Sequence, residues 1–280
     1  MSRRNALETR PLAGALGAEI PGIDLREAAP DDWSRIREAF LEHLVLFFPG
    51  QSLTPTTLAA VGANFGDLAF YPFIEAVDEE PHVIPIVKEA HETKNFGEGW
   101  HSDTTYTEVP PKATVLYAVE VPQVGGDTLF ANMYQAFESL SPGMRAFLEP
   151  LKAVHSSAAR RGGGRAEGNE FDGVTFKNRD QPLQAVHPIV RTHPDTGRKA
   201  LYIDALHTAR IDGWSAEESA PVLEYLYRHK SRPELTCRYQ WAPGTLAVWD
   251  NRAAQHYAMN DYHGHRRSML RLSIAGDRPV

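Results

Sequence analysis

The sequence is poor in cysteine: its 280 residues carry one, Cys237. A lone cysteine excludes an intramolecular disulfide and any zinc site built on several thiolates. Its neighbourhood, Leu235-Thr236-Cys237-Arg238-Tyr239, alternates apolar and polar. That predicts a strand with Cys237 as a small buried hydrophobe, not a nucleophile. Long apolar runs are missing too. Leu44-Val45-Leu46-Phe47-Phe48 is the longest, at five residues, where a bilayer span needs about 20. The basic residues near Met1–Arg10 are followed by no apolar segment, so no secretory signal is expected. Positive charge is not in excess: 29 Lys+Arg against 36 Asp+Glu give a net charge of −7, which argues against a nucleic-acid partner. No Gly-x-Ser-x-Gly occurs, leaving a serine-nucleophile hydrolase unsupported. Internal repeats are absent. These absences predict a soluble, cytoplasmic globular protein with no nucleic-acid and no membrane partner.

What is present is strand-rich. Asp31-Asp32 opens a helix in which Trp33, Ile36, Phe40, Leu41 and Leu44 recur at helical spacing. Leu44–Phe48 reads as a buried strand stopped by Pro49-Gly50. Thr54-Pro55 starts a second helix that ends near Gly66. Val83–Val87, Thr104–Tyr106, Thr114–Val119 and Asp127–Phe130 read as strands between turn signals. Residues 132–150 predict two short helices, the second restarted by Ser141-Pro142. Residues 160–168, Arg-Arg-Gly-Gly-Gly-Arg-Ala-Glu-Gly, lack the flanking strand and helix of a phosphate loop and predict a mobile loop or lid. Strands follow at 185–191 and 199–204. A helix over 215–229 starts with a Ser215/Glu218 capping box. Further strands are expected at 235–241, Thr245–Trp249, around His256 and at 266–275. Many short strands, few helices and no strand–helix–strand alternation predict a mainly β jelly roll with flanking helices, one domain over 1–280. Segments near 88–99 and 160–173, rich in glycine and charge, are expected to be mobile.

His101-Ser102-Asp103 is the first chemical signal. In a strand, residues i and i+2 share a face, so one imidazole and one carboxylate would point at one spot. A His, an Asp and a second His form the facial triad that leaves positions on Fe(II) open. With 12 histidines in the chain, such pairs also arise by chance. His193-Pro194-Asp195 is one, and Pro with Asp-Thr-Gly predicts a hairpin turn there instead. His263-Gly264-His265 also lies among turn residues. The candidate third ligand is His256, after the core strand Gly244–Trp249. If the chain turns at Asp261-Tyr262, His256 sits opposite Arg267, and Arg267, Met269 and Arg271 share a face. Two guanidinium groups near a metal suit anion binding; an exposed basic hairpin face fits the same pattern.

Trp100-His101-Ser102-Asp103, Gly125-Gly126-Asp127-Thr128, Trp249-Asp250-Asn251-Arg252 with Gln255-His256, and Arg267 with Arg271 stand in order along the chain. In this combination the sequence resembles the taurine dioxygenase family, which also includes alkylsulfatases and aryloxyalkanoate dioxygenases. The resemblance runs from about Leu12 to Pro279. It implies a double-stranded β-helix, Fe(II) bound by His101, Asp103 and His256, 2-oxoglutarate held by Thr128 and Arg267, and a substrate anion at Arg271. It also implies a homo-oligomer, dimer or tetramer. Taurine-specific members carry His where this chain has Tyr71, a candidate substrate contact, and Asn where it has Gly97. Glu89–Lys94 and Thr196–Tyr202 look more like the aryloxyalkanoate members.

The implied activity is hydroxylation of a small, anionic substrate (aryloxyalkanoate, alkyl sulfate or sulfonate) with O₂, releasing succinate and CO₂. Two other classes fit the His/Asp set. One is a metal-dependent β-barrel isomerase or hydrolase, which needs neither Thr128 nor Arg267. The other is a non-catalytic small-molecule binding module.

Overall fold

The computed structural model describes residues 7–159, 171–178 and 181–280. Eight strands carry its architecture: β1 Val45–Phe48, β2 Ile84–Lys88, β3 Ala113–Glu120, β4 Thr128–Asn132, β5 Thr236–Tyr239, β6 Leu246–Asp250, β7 Ala254–Ala258 and β8 Arg267–Ile274. One sheet runs β1-β6-β3-β8-β2, each pair antiparallel. The second runs β5-β4-β7. His101 extends it through a bridge to His256, with N–H···O distances of 3.0 and 2.9 Å. Two antiparallel sheets wound from strands distant in sequence form a double-stranded β-helix, or jelly roll. Helices α1 (Pro30–His43) and α2 (Pro55–Gly62) flank the larger sheet. Between β4 and β5 the chain inserts a three-stranded sheet (Lys152–Ser156, Gln184–Pro188, Thr208–Ile211), the hairpin Val190–Thr192/Lys199–Leu201, and α3 (Ala216–Lys230).

The apolar run in β1 is explained by its two buried faces. Val45 and Phe47 enter the core between the sheets, while Leu46 and Phe48 enter the core beneath α1 and α2. β6 divides alike, Ala247 and Trp249 inward, Leu246 and Val248 outward. Phe47 stacks on Tyr239 of the opposite sheet at a centroid distance of 3.7 Å and meets Trp241 and Phe130 edge-on. Each such buried aromatic contributes about 1.5–3 kcal/mol. The expected caps are present: Thr54 accepts from Thr57 N, and Ser215 and Glu218 close a reciprocal capping box. α1 ends on Leu44 at φ 63°, its N–H still bonded to Phe40 O.

Three expectations are corrected. Thr104–Tyr106 is a turn, with Thr104 at φ 46° and Thr107 N bonded to Thr104 O. The His101–Asp103 segment is a single bridge running into that turn, so strand alternation is not what aligns its side chains. β7 and β8 form no hairpin: His256 pairs with Phe130 and Arg267 with Lys88, in opposite sheets. Residues 193–197 do turn between two short strands. The glycine-rich stretch 160–168 lies outside the described residues, as does most of 160–173.

Candidate active site

The bridge between His101 and His256 places two imidazoles side by side, ring centroids 4.1 Å apart. The turn after His101 folds Asp103 back toward them. Its Oδ1 lies 3.7 Å from His101 Nε2 and 3.9 Å from His256 Nε2. All three side chains are buried. His101 Nδ1 lies 2.8 Å from Gly99 O. A carbonyl only accepts, so Nδ1 carries the proton and the Nε2 lone pair faces the carboxylate. Burial holds both histidines below their usual pKa, His256 at about 4, with the His101–His256 pair adding to the effect on His101. For Asp103 burial acts upward, but Arg271, His256, His101 and the Thr114 hydrogen bond outweigh it and hold the carboxyl below its usual range. Two neutral imidazoles and one carboxylate are the donor set a divalent transition metal takes. One ligand atom from each of the three residues lies within 4.8 Å of the others.

Facing these residues is a cavity of about 460 Å³ including its mouth, lined by Ile86, Phe96, Leu116, Trp249 and Ala258 beside the polar groups. Thr128, Arg267 and Arg271 all reach it. Thr128 comes from β4, and its Oγ1 accepts from Trp241 Nε1 at 3.0 Å. Arg267 and Arg271 come from β8 on the opposite sheet. Arg267 and His256 therefore meet at one cavity from opposite sheets and not across a hairpin. Both guanidinium groups are buried, and Nε of each has no hydrogen-bond partner. Burial lowers the pKa of Arg267 from its usual value, which marks a desolvated cation. Arg271 Nη2 sits 2.9 Å from Asp103 Oδ1, without hydrogen-bond alignment. Its guanidinium carbon lies 4.9 Å from the Tyr71 ring. Tyr71 is buried behind Arg271 and is not part of the cavity lining.

Gly97, at φ 78°, passes close to His101: a Cβ there would lie 3.2 Å from Cε1. From the segment 89–99, Phe96 and Gly97 line the cavity. Asn95 Nδ2 donates to Met259 O at 3.0 Å and its Oδ1 accepts from Tyr262 Oη. Asp172 meets this segment through His91 and Glu92.

The other His-x-Asp pair is structural. His193 is buried; its Nδ1 accepts from Asp195 N and Thr196 N, so Nε2 donates to Asp250 Oδ2 at 3.0 Å. Arg252 grips Asp250 through two nitrogens and also reaches Asp195. His263 and His265 are exposed. Cys237 is buried, and burial pushes its thiol up to about 12. Sequence reasoning missed Thr114, whose Oγ1 donates to Asp103 Oδ2 at 2.6 Å. A hydroxyl on the inward face of an apolar strand, with Leu116 and Ala118, was the available signal. It also missed Lys88, buried with an unpartnered Nζ over the Tyr262 ring.

The chain is similar throughout its length to known proteins. The family described as "Taurine catabolism dioxygenase TauD, TfdA family" matches residues 8–273. An alkylsulfatase of Acinetobacter baylyi is 34% identical over 97% of this chain and 86% of its own. An (S)-phenoxypropionate/alpha-ketoglutarate-dioxygenase of Sphingobium herbicidovorans is 32% identical over 97% and 96%. The crystal structure of a putative alpha-ketoglutarate-dependent taurine dioxygenase from Burkholderia xenovorans superposes with a TM-score of 0.84 at 35% identity, covering 98% of this chain and 94% of that one. The match over nearly all of the sequence agrees with the jelly roll and the clustered His101, Asp103 and His256: the chain belongs to the TauD, TfdA family of dioxygenases.

Proposed function

We propose that this enzyme is an Fe(II)- and 2-oxoglutarate-dependent dioxygenase that hydroxylates a small organic anion: a sulfate ester, a sulfonate or an aryloxyalkanoate. His101, Asp103 and His256 hold the iron. Thr128 and Arg267 hold the distal carboxylate of 2-oxoglutarate, and Arg271 takes the anionic group of the substrate, with Tyr71 behind it. One observation carries the reading: two buried guanidinium groups, four residues apart on one β-strand, face a His/Asp/His cluster across one cavity. A zinc hydrolase that uses no cosubstrate gives the desolvated charge of Arg267 no counterpart.

When bound, Fe(II) with 2-oxoglutarate and O₂ supplies the oxidising chemistry, and 2-oxoglutarate leaves as succinate and CO₂. The protein's part is orientation. The Gly99 carbonyl fixes the His101 ring so that Nε2 faces the ion. With Asp103 Oδ1 committed to a metal, the buried Arg271 guanidinium, whose Nε has no partner, would be free to pair an anionic substrate. Ile86, Phe96, Leu116 and Trp249 exclude water around the carbon to be oxidised. Residues 88–99 close over the cavity, and the whole chain acts as one catalytic domain. We further infer a cytoplasmic homo-oligomer; light scattering checks the oligomer. Among the described residues, no helix is long and apolar enough to cross a membrane.

The test is a panel of alkyl sulfates, sulfonates and aryloxy acids, supplied with Fe(II) and 2-oxoglutarate and scored by substrate-dependent succinate. Arg271→Ala should raise KM for the active substrate and leave uncoupled succinate release in place. A substrate whose KM ignores that substitution would remove Arg271 from the anion site.

A further inference from the structure

The chain Trp249–Asn251–Thr114–Asp103 has a hydrogen-bond direction fixed by residue chemistry alone. An indole N–H can only donate, and Trp249 Nε1 lies 3.0 Å from Asn251 Oδ1. That contact sets the amide, turning its NH₂ toward Thr114, where Nδ2 donates to Oγ1 at 2.9 Å. Thr114 Oγ1 is thereby an acceptor on one side, and its single O–H is directed to Asp103 Oδ2 at 2.6 Å, a charge-assisted length. The four side chains are all buried, so water does not compete for these bonds. Strand pairing sets Trp249 of β6 opposite Thr114 of β3. The second oxygen, Oδ1, is the one aimed at His101 Nε2 and His256 Nε2.

We propose that Thr114 is a positioning residue: with its hydroxyl oriented by Asn251 and Trp249, it occupies one oxygen of Asp103, so that the carboxylate binds the metal through Oδ1 alone. The proposal rests on reading His101, Asp103 and His256 as the metal ligands. Its consequence concerns vacancy. A carboxylate binding through both oxygens adds a fourth protein donor and takes a position that the cosubstrate or O₂ needs. Thr114 holds that position open without touching substrate.

Co(II) binding to the full chain tests this, with affinity read by titration and coordination read from the visible absorption bands. Thr114→Val keeps the shape and the β-propensity and removes the donor. It should weaken Co(II) binding about 10- to 100-fold, the usual effect of losing a partner behind a ligand, and alter the absorption bands. Thr114→Ser, which restores the hydroxyl, should return both to wild type. Wild-type affinity and bands in Thr114→Val would overturn the proposal, and so would a Ser variant that behaves like Val. Asp103→Ala separates the layers: if it binds Co(II) like wild type, the ligand assignment itself falls and the proposal with it. Should Thr114→Val not fold, Trp249→Phe removes the first donor together with part of the packing on the His256 ring and should shift the bands; unshifted bands there count against the relay.

Discussion

Replacing Arg267 with Met tests the cosubstrate site most directly, because two effects should move in opposite directions. The guanidinium is buried, and that burial lowers its pKa. The fold therefore carries a desolvated cation whose Nε has no partner. Methionine keeps the aliphatic packing near Trp241, from which the guanidinium carbon is 5.8 Å, and removes the charge. Without ligands, the variant should melt at the wild-type temperature or above it. Toward 2-oxoglutarate it should lose a charge-assisted bidentate contact of about 2 kcal/mol, roughly a 30-fold rise in Kd. Thermal melts with Mn(II) and a fixed 2-oxoglutarate concentration report both. At about 100 times the wild-type Kd, the wild type gains about 2.7 kcal/mol, whereas a 30-fold weaker variant gains about 0.9. At about 2 °C per kcal/mol for a chain of this size, the ligand-induced shift should shrink by about 4 °C. An unchanged shift, combined with a ligand-free melting temperature several degrees lower, would make Arg267 a structural cation and refute the reasoning.

Three further outcomes are expected. His101→Ala, Asp103→Ala and His256→Ala should each abolish substrate-dependent succinate formation while circular dichroism remains that of the wild type; normal turnover in any one removes it from the ligand set. His193→Ala should retain activity yet cost about 2–4 kcal/mol in urea unfolding, since it opens a buried cavity and strips Asp250 of a donor; Asp195→Ala, half exposed, should retain activity and cost under about 1 kcal/mol. Lys230 is fully buried, and burial lowers its ammonium to about 7. The unfolded chain keeps that proton up to about pH 10, so between pH 7 and 10 the unfolded state binds more protons and stability rises with pH, by up to about 1.4 kcal/mol per unit. The Lys230→Met variant should lack this rise, and parallel pH–stability curves would show that Lys230 stays charged in the fold.

What the sequence made legible follows from how local each signal is. Helix starts at Thr54 and Ser215 were readable because a cap is satisfied within three residues. The β1 run was readable because a strand buried on both faces has no polar alternation to hide it. Cys237 declared its burial through its flanking pattern. Register was not local. The pattern at 254–258 and 267–274 is compatible with a hairpin, but each strand carries only its own two-residue period, and nothing in that period names its partner. β7 pairs with residues 128–132 and β8 with residues 84–88 and 113–120. The convergence of His101 with Asp103 was anticipated, yet a bridge followed by a turn with Thr104 at positive φ produces it. Thr114 and Asn251 stayed hidden for a related reason: their partner is an atom of Asp103, 11 and 148 residues away in sequence.

The division of the site between two sheets also explains why its polar groups are spread so widely along the chain. His256 and the bridged His101 belong to the smaller sheet; Arg267 and Arg271 belong to the larger. Asp103 faces both histidines, yet its outer oxygen is tied to Thr114 of β3, so this carboxylate is the side chain that spans the gap. The spacing between the His101, Asp103 and His256 cluster and the two arginines is then set by the aromatic layer beside it. Phe47, Phe130, Tyr239, Trp241 and Trp249 fill the space between the sheets, and Trp249 packs 4.7 Å from the His256 ring. Interiors of this kind are close-packed and transmit strain instead of absorbing it. A change of volume in that layer therefore moves the two arginines relative to His101, Asp103 and His256, and on the proposed function the distance at which an anion is held from the metal site is a property of the core as much as of the residues that touch the substrate.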